Sequence, residues 1–310
     1  MKNWTADDIP PLEGKRVLVT GANSGIGYRT ALELARKGAA VILACRSLAR
    51  GADARERLRA EVPGAPVEFV VLDLSSLTSV RAFASTFAAR GLALDVLVNN
   101  AGVMAPLQRR LSADGFELQL ATNHLGHYAL TALLLPSLRR SPAPRVVTVS
   151  SIAHRGGRID FEDLQSERRY APWAAYSQSK LANLLFAFEL SRRAGRAGLP
   201  LLSVAAHPGV ARTNIVVNGL GGGKPNLLTA AMNLFSPPFT QSEERGALPS
   251  LFAATSPDAA PGGYYGPDGF REMTGYPVAV DCRPQAKDEA AAARLWDVSR
   301  SLTGAEFRGL

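Results

Sequence analysis

A chain of 310 residues, 46% of them hydrophobic and 20% charged, can bury one large core, and a single undivided domain is the simplest reading. The formal net charge of +8 invites a nucleic-acid partner, but the basic residues are scattered through stretches such as 50–59 and 192–196, mixed with acids and alanines and not interleaved with aromatics, so they read as a solvated surface and no nucleic acid is assigned. Cys45 and Cys282 are too few for a disulfide framework and sit in no metal-type spacing, so both are taken as reduced thiols and no metal site is assigned.

Residues 1–15 carry Asp7, Asp8 and Glu13 and no long apolar run, which argues against a signal or transit peptide, and nothing later is apolar for long enough to span a bilayer. A cytoplasmic protein with no membrane span is the expectation. Apolar β-type runs at Arg16–Thr20, Ala40–Cys45, 66–72, Val96–Asn99, 145–150 and 201–206 alternate with helix-period stretches. These runs are continuous and not alternating, as parallel strands covered on both faces should be. Right-handed crossovers then give one α/β domain, doubly wound, with a mainly parallel sheet, helices on both faces and a ligand crevice at the carboxyl ends of the strands.

The first strand runs into Val17-Leu18-Val19-Thr20-Gly21-Ala22-Asn23-Ser24-Gly25-Ile26-Gly27 and then the helical pattern of Ala31 to Ala35. That strand, glycine turn and helix form the unit that sets a phosphate against a helix N-terminus. At the end of the second strand, where sites preferring NAD carry an acid for the ribose hydroxyl, this chain has Arg46 and then Ser47. A guanidinium there can bond a 2′-phosphate, with the Ser47 hydroxyl beside it. Asp73 follows the third strand and can cap the next helix, a task that Ser75 or Ser76 can share. Small residues in Asn99-Asn100-Ala101-Gly102 let the backbone pass close to a ligand, and Asn99 can tie neighbouring strands. His124 and His127 have no acidic or thiol companion ligand, so packing or a polar cap is preferred to a metal clasp.

The polar stretch 155–170 reads as an exposed excursion. In Tyr176-Ser177-Gln178-Ser179-Lys180, a helix stacks Tyr176 and Lys180 on one face, where an ammonium can stabilise a phenolate and make a general acid and base. Glycines at 219–223 form a loop ahead of an apolar helical stretch at 227–235. The segment Gly262-Gly263-Tyr264-Tyr265-Gly266-Pro267 suggests an edge strand, followed by a closing helix near 286–302.

Taken in order, Thr20-Gly21-x-x-x-Gly25-Ile26-Gly27, Asp73-Leu74, Asn99-Asn100-Ala101-Gly102, Asn123, Ser150-Ser151, Tyr176-x-x-x-Lys180 and Pro208-Gly209 resemble the short-chain dehydrogenases/reductases over nearly the whole chain. Leu43-Ala44-Cys45-Arg46, Asn123-His124-Leu125-Gly126-His127, Asp160-Phe161-Glu162-Asp163-Leu164 and Ser179-Lys180-Leu181-Ala182-Asn183-Leu184-Leu185 look most like its retinol dehydrogenase and WW-domain oxidoreductase branch. Many vertebrate retinol dehydrogenases carry a membrane anchor, a feature not expected here.

The resemblance implies a Rossmann-type fold and a catalytic set of Asn123, Ser151, Tyr176 and Lys180, with Ser150 as the alternate serine. Ser151 would bond the substrate carbonyl and Tyr176 would donate the proton. Lys180 would bind the nicotinamide ribose and depress the tyrosine pKa, while Asn123 would hold a water in a relay ending at Lys180. Cofactor contacts would come from Gly21, Asn23, Ser24, Gly25, Ile26, Gly27, Arg46, Ser47, Asp73, Leu74, Asn100, Ala101, Gly102, Tyr176 and Lys180, with Pro208, Gly209, Val210 and Thr213 at the carboxamide. NADP(H) is preferred, and NAD(H) stays open because Ser24 stands where some NADP-preferring relatives add a second base.

The resemblance also implies a substrate lid at about 214–245, with core packing or a subunit contact as equal alternatives for its apolar stretch, and Val103, Met104, His154, Trp173 and Ile215 as the wall of a site for a small-molecule, lipophilic ketone, aldehyde or alcohol. A non-catalytic NADP(H)-binding sensor or scaffold is the alternative, although such proteins typically lose the tyrosine or the lysine. A homodimer or homotetramer is left open.

Overall fold

The computed structural model describes residues 3–211 and 240–310. Runs of branched and aliphatic residues form β1 (Arg16–Thr20), β2 (Ala40–Cys45), β3 (Val67–Val71), β4 (Val96–Asn99), β5 (Arg145–Val149) and β6 (Leu202–Ala206). These pair in parallel in the order β3-β2-β1-β4-β5-β6. The order reverses between β1 and β4, so the carboxyl ends of those strands open the crevice where such a sheet takes its ligand.

The main helices are α1 (Gly25–Arg36), α2 (Leu48–Glu61), α3 (Leu77–Ala89), α4 (Gly126–Leu138), α5 (Pro172–Arg196), α6 (Glu243–Thr255) and α7 (Glu289–Thr303). Alternate residues of each inner strand point to opposite helical layers. Val17, Val19, Val41 and Leu43 join one core with α1, α2 and α6. Leu18, Ile42 and Leu97 join the other with α3, α4, α5 and Trp296 of α7. Burial on both faces is why these strands read as unbroken apolar runs. Tyr128 ties α4 to α7 by edge-on contacts with Trp296 at 5.2 Å and with Phe307 at 5.1 Å.

Strand β3 departs from that pattern because it is the edge of the sheet. Glu68 is exposed and pairs with Arg90 at 2.6 Å, while Phe69 lies so close to Gly51 of α2 that a Cβ there would meet its ring at 1.9 Å. The other edge also differs from expectation. The segment Tyr264–Pro267 is β7, an inner strand parallel to β6, and the edge is a three-residue strand, β8 (Pro277–Ala279), antiparallel to it. A proline-led run of that length carries too little periodicity to be read from sequence.

Of the expected lid, residues 214–239 lie outside the described residues, as does the apolar stretch 227–235. Its carboxyl end belongs to the frame: Ser242 caps α6 through Arg245 N, and Glu244 pairs with Arg29 of α1 at 2.8 Å. Among the described residues no helix is long and apolar enough to cross a membrane.

Candidate active site

Helix α5 starts with Pro172 in its first turn, where a missing N–H costs no hydrogen bond. One turn on, Tyr176 and Lys180 share a face, with Lys180 Nζ 5.8 Å from the centroid of the tyrosine ring. Both are almost wholly buried, at 6% and 3% exposure. Burial pushes the Tyr176 phenol up to about 12, against the opposing pull of a hydrogen bond with Ser151, and pushes Lys180 down to about 8. The lysine is expected to depress this value, but burial is the larger influence on the phenol here and Ser151 the one that opposes it. Lys180 Nζ donates to Val149 O at 3.2 Å, and Asn183 Nδ2 donates to the same carbonyl at 3.0 Å, which moors the lysine to the end of β5.

Two serines follow that strand and face different partners. Ser150 is buried and its Oγ donates to Lys180 O at 2.7 Å. Ser151 instead caps the short helix Ile152–Gly156, accepting from Ala153 N at 3.2 Å, and its hydroxyl lies close enough to Tyr176 to oppose the effect of burial on the phenol. The polar stretch between Ser151 and Tyr176 does not separate them. Gln178 pins it to α5 by accepting from Asp160 N at 2.9 Å and donating to Leu164 O at 3.1 Å.

Asn123 sits in a π-helical turn, Ala121–Leu125, at the entry to α4, a distortion that recurs at functional sites. Its amide clamps Val103 from both sides, accepting from Val103 N at 2.8 Å and donating to Val103 O at 3.0 Å. Nδ2 also reaches Ser179 Oγ at 2.9 Å, and that hydroxyl donates to Tyr176 O at 2.7 Å. A Cβ on Gly102 would stand 3.2 Å from Asn123 Oδ1 and 3.5 Å from Lys180 Nζ, so these two side chains converge on one strip of backbone. Sequence reasoning missed Ser179. The available signal was a small polar residue three positions beyond the tyrosine on a helix face otherwise committed to the core.

The glycine turn is built for close approach. Gly21 and Gly25 take φ of +67° and +60°, and a Cβ on Gly27 would fall 2.4 Å from Asn100 Nδ2 and 2.6 Å from Gly21 O. Asn100 Nδ2 donates to Thr20 O at 2.8 Å, and Thr20 Oγ1 accepts from the amides of Asn100 and Ala101. Thr20 Oγ1 also meets His127 Nε2 at 2.9 Å, while His127 Nδ1 lies 3.0 Å from Asn123 O. A carbonyl only accepts, so Nδ1 carries the proton. Burial holds this imidazole down to about 4, neutral at physiological pH. The histidine thus joins the glycine strand to the π turn, whereas His124 bonds Ser299 of α7 at 2.8 Å.

Arg46 is exposed at the end of β2 and has no ion-pair partner among the described residues. Ser47 beside it caps α2, accepting from Arg50 N at 3.4 Å. Arg57 of α2 also reaches the glycine turn, donating to Asn23 O at 3.0 Å. Asp73 does not cap α3. Its Oδ1 accepts from Ser75 N and Oγ at 2.9 and 2.6 Å in a local turn, and Ser76 caps the helix through Ser79 N. Leu74 is buried in the core, with its backbone against Gly126. Pro208, Gly209 and Val210 form the turn after β6, held by Gln241, whose Nε2 donates to Pro208 O at 2.7 Å and whose N donates to Val210 O at 2.9 Å. Thr213 lies outside the described residues.

Of the wall residues, Met104 packs with Ala105 against Tyr176, and Trp173 is 49% exposed with its ring edge-on to Tyr176 at 5.9 Å. Val103 is held by Asn123, as described. His154 is a correction: it is fully buried beneath Ser151, with Nδ1 2.7 Å from Ser151 O and its ring edge-on to Tyr264, so it supports the serine turn and does not line an opening. Ile215 lies outside the described residues.

The family model for short chain dehydrogenases matches residues 15–219. Human retinol dehydrogenase 12 is 44% identical over 299 residues, covering 94% of this chain and 87% of that protein, and human retinol dehydrogenase 13 is 42% identical over 302 residues, covering 95% and 86%. Among solved structures, an uncharacterized protein from Mycobacterium paratuberculosis superposes with a TM-score of 0.81 at 44% identity, covering 99% of each chain. With the parallel sheet, the glycine turn and the Tyr176–Lys180 face already in place, these matches show that the chain belongs to the short-chain dehydrogenase family, in its retinol dehydrogenase branch, and is an oxidoreductase acting on CH–OH and C=O groups.

Proposed function

We propose that the protein interconverts a bulky, apolar ketone or aldehyde and its alcohol, with NADP(H) as the preferred dinucleotide and Tyr176 as general acid and base. The observation that carries this reading is the buried Tyr176, with the Ser151 hydroxyl close enough to act on its phenol and Lys180 one turn away on the same face.

The residues present fit a dinucleotide. Glycines 21 and 27 let the turn fold tightly onto Asn100 and Ala101 ahead of the N-terminus of α1, Arg46 offers an exposed guanidinium for a 2′-phosphate, and Lys180 presents an ammonium beside the Gly102 backbone. The nicotinamide supplies the hydride chemistry. The protein's own part is proton handling and placement. Ser151 holds the substrate oxygen next to the phenol, Tyr176 gives its proton to that oxygen in reduction and takes it back in oxidation, and Lys180 holds the ribose. Asn123 serves by fixing Val103, since both ends of its amide are engaged there and at Ser179. The names of the retinol dehydrogenase relatives support an apolar alcohol or aldehyde, as do Met104 and the exposed Trp173 beside the tyrosine.

The test is NADPH consumption against a panel of bulky and small ketones and aldehydes, with Tyr176→Phe as control. Turnover lost in the control supports a reductase and ranks its substrates. Tight NADPH binding with no turnover on any member would favour a non-catalytic sensor.

A further inference from the structure

Beneath the crevice one carboxylate joins segments that are far apart in the chain. Glu272 lies on the excursion between β7 and β8, where Arg271 and Glu272 both take positive φ, at 51° and 61°. Consecutive non-glycine residues in that region cost on the order of 1 kcal/mol each and persist only where surrounding contacts enforce them. Here the contacts are evident. Glu272 Oε1 pairs with Arg155 Nη2 at 2.5 Å, and Oε2 lies 3.0 Å from His207 Nε2. Arg155 belongs to the short helix capped by Ser151, and His207 follows β6 directly, just before the Pro208–Gly209 turn.

The histidine's tautomer follows from its neighbours. Gly209 N donates to His207 Nδ1 at 3.2 Å, so the ring proton is on Nε2 and points at Glu272. The ring cannot shift, because it packs on Tyr264 at 5.2 Å and a Cβ on Gly266 would lie 2.0 Å from Nε2. The excursion also grips the turn directly: Val210 N donates to Met273 O at 2.8 Å, and a Cβ on Gly209 would fall 2.3 Å from that oxygen.

We propose that Glu272 is a positioning residue that fixes the Pro208–Val210 turn through His207 and the Ser151 turn through Arg155, so that one carboxylate sets the spacing between the dinucleotide-facing and substrate-facing sides of the site. This rests on the oxidoreductase reading above. The carboxylate's ion-pair partners are Arg155 and His207, not Tyr176. Its two oxygens give separable arms, one reaching dinucleotide affinity and the other reaching turnover.

The experiment measures NADPH affinity by fluorescence and steady-state kinetics for wild type, Glu272→Ala, Glu272→Gln and Arg155→Leu. Glu272→Ala is expected to raise Kd and KM for NADPH about tenfold and to lower kcat by about 10-fold to 100-fold, because small displacements of positioning groups cost on that scale. Glu272→Gln keeps an acceptor for the His207 Nε2 proton and is expected to restore NADPH affinity while kcat stays low. Arg155→Leu is expected to lower kcat and leave NADPH affinity unchanged. If all three variants lower only thermal stability and keep wild-type Kd, KM and kcat, the carboxylate is merely structural and the proposal is overturned. The same holds if Arg155→Leu and Glu272→Gln lose NADPH affinity equally, since the arms would then not be separate. A wild-type protein that binds no dinucleotide would sink the functional reading itself, a failure distinct from normal variants of an active enzyme.

Discussion

The Ser150 hydroxyl donates to the main-chain carbonyl of Lys180 across 2.7 Å, while the hydroxyl of its neighbour Ser151 acts on the Tyr176 phenol. Adjacent serines are thereby given different work. Ser151→Ala is expected to lower kcat by about 10²-fold with little loss of stability. Ser150→Ala removes a buried hydrogen bond and is expected to cost about 1 kcal/mol of stability with a smaller loss of rate. Thermal melts and steady-state assays of both variants check the division, and the reverse pattern would make Ser150 the reacting serine.

Tyr176→Phe is expected to keep NADPH affinity within a few-fold and lose roughly 10²-fold to 10⁴-fold in turnover, the usual contribution of a positioned acid–base group. The check is a fluorescence titration beside an absorbance assay. Undiminished activity would remove Tyr176 from the mechanism.

Lys180 links activity and stability through pH. Its folded value of about 8 lies below its ordinary value of 10.5, so the unfolded chain binds more protons between those limits and stability rises with pH across that window. Below about 8 the cost of burying the ammonium is fully present. Lys180→Met is expected to raise stability near neutral pH by roughly 1–3 kcal/mol, to remove the alkaline rise, and to abolish turnover. Denaturant melts from pH 7 to 10 measure the first two effects. A wild-type stability that is flat or falling over that range would contradict the burial described here.

Arg46→Asp puts a carboxylate where the proposed 2′-phosphate sits. NADPH affinity should fall about 10-fold to 100-fold more than NADH affinity, the scale of a lost charge-assisted bond. Parallel losses for the two dinucleotides would refute the phosphate assignment.

Gly27→Ala would push a methyl within 2.4 Å of Asn100 Nδ2 and 2.6 Å of Gly21 O. The glycine turn must open to admit it, so dinucleotide affinity is expected to fall by about tenfold or more, with a loss of stability on the order of 1–3 kcal/mol from overpacking. Calorimetric binding and a melt test both.

Much of this was legible in the residues because the inner strands leave no choice. Val17, Leu18 and Val19 are apolar in succession since each faces a helical layer, and the bounds of β1, β2 and β4 follow directly. Spacing likewise put Tyr176 and Lys180 on one face. What stayed hidden depends on contacts across long separations. Nothing near His154 announces that it lies under Ser151 against Tyr264, and nothing near Glu272 announces Arg155 and His207. The tyrosine's pKa depends on the fold in a related way. Spacing gives the distance to a charge, but the depth of burial, which prevails here, is set by the whole fold.

The π turn at Ala121–Leu125 holds one more residue per ring than the helix it precedes. Excising a residue there would let the turn relax to ordinary helix while swinging Asn123 by about 100° around the axis, away from Val103, with α4 downstream still in phase with its core. A shortening invisible to the hydrophobic pattern would thus leave a chain that folds but has lost its grip on the backbone beside Gly102.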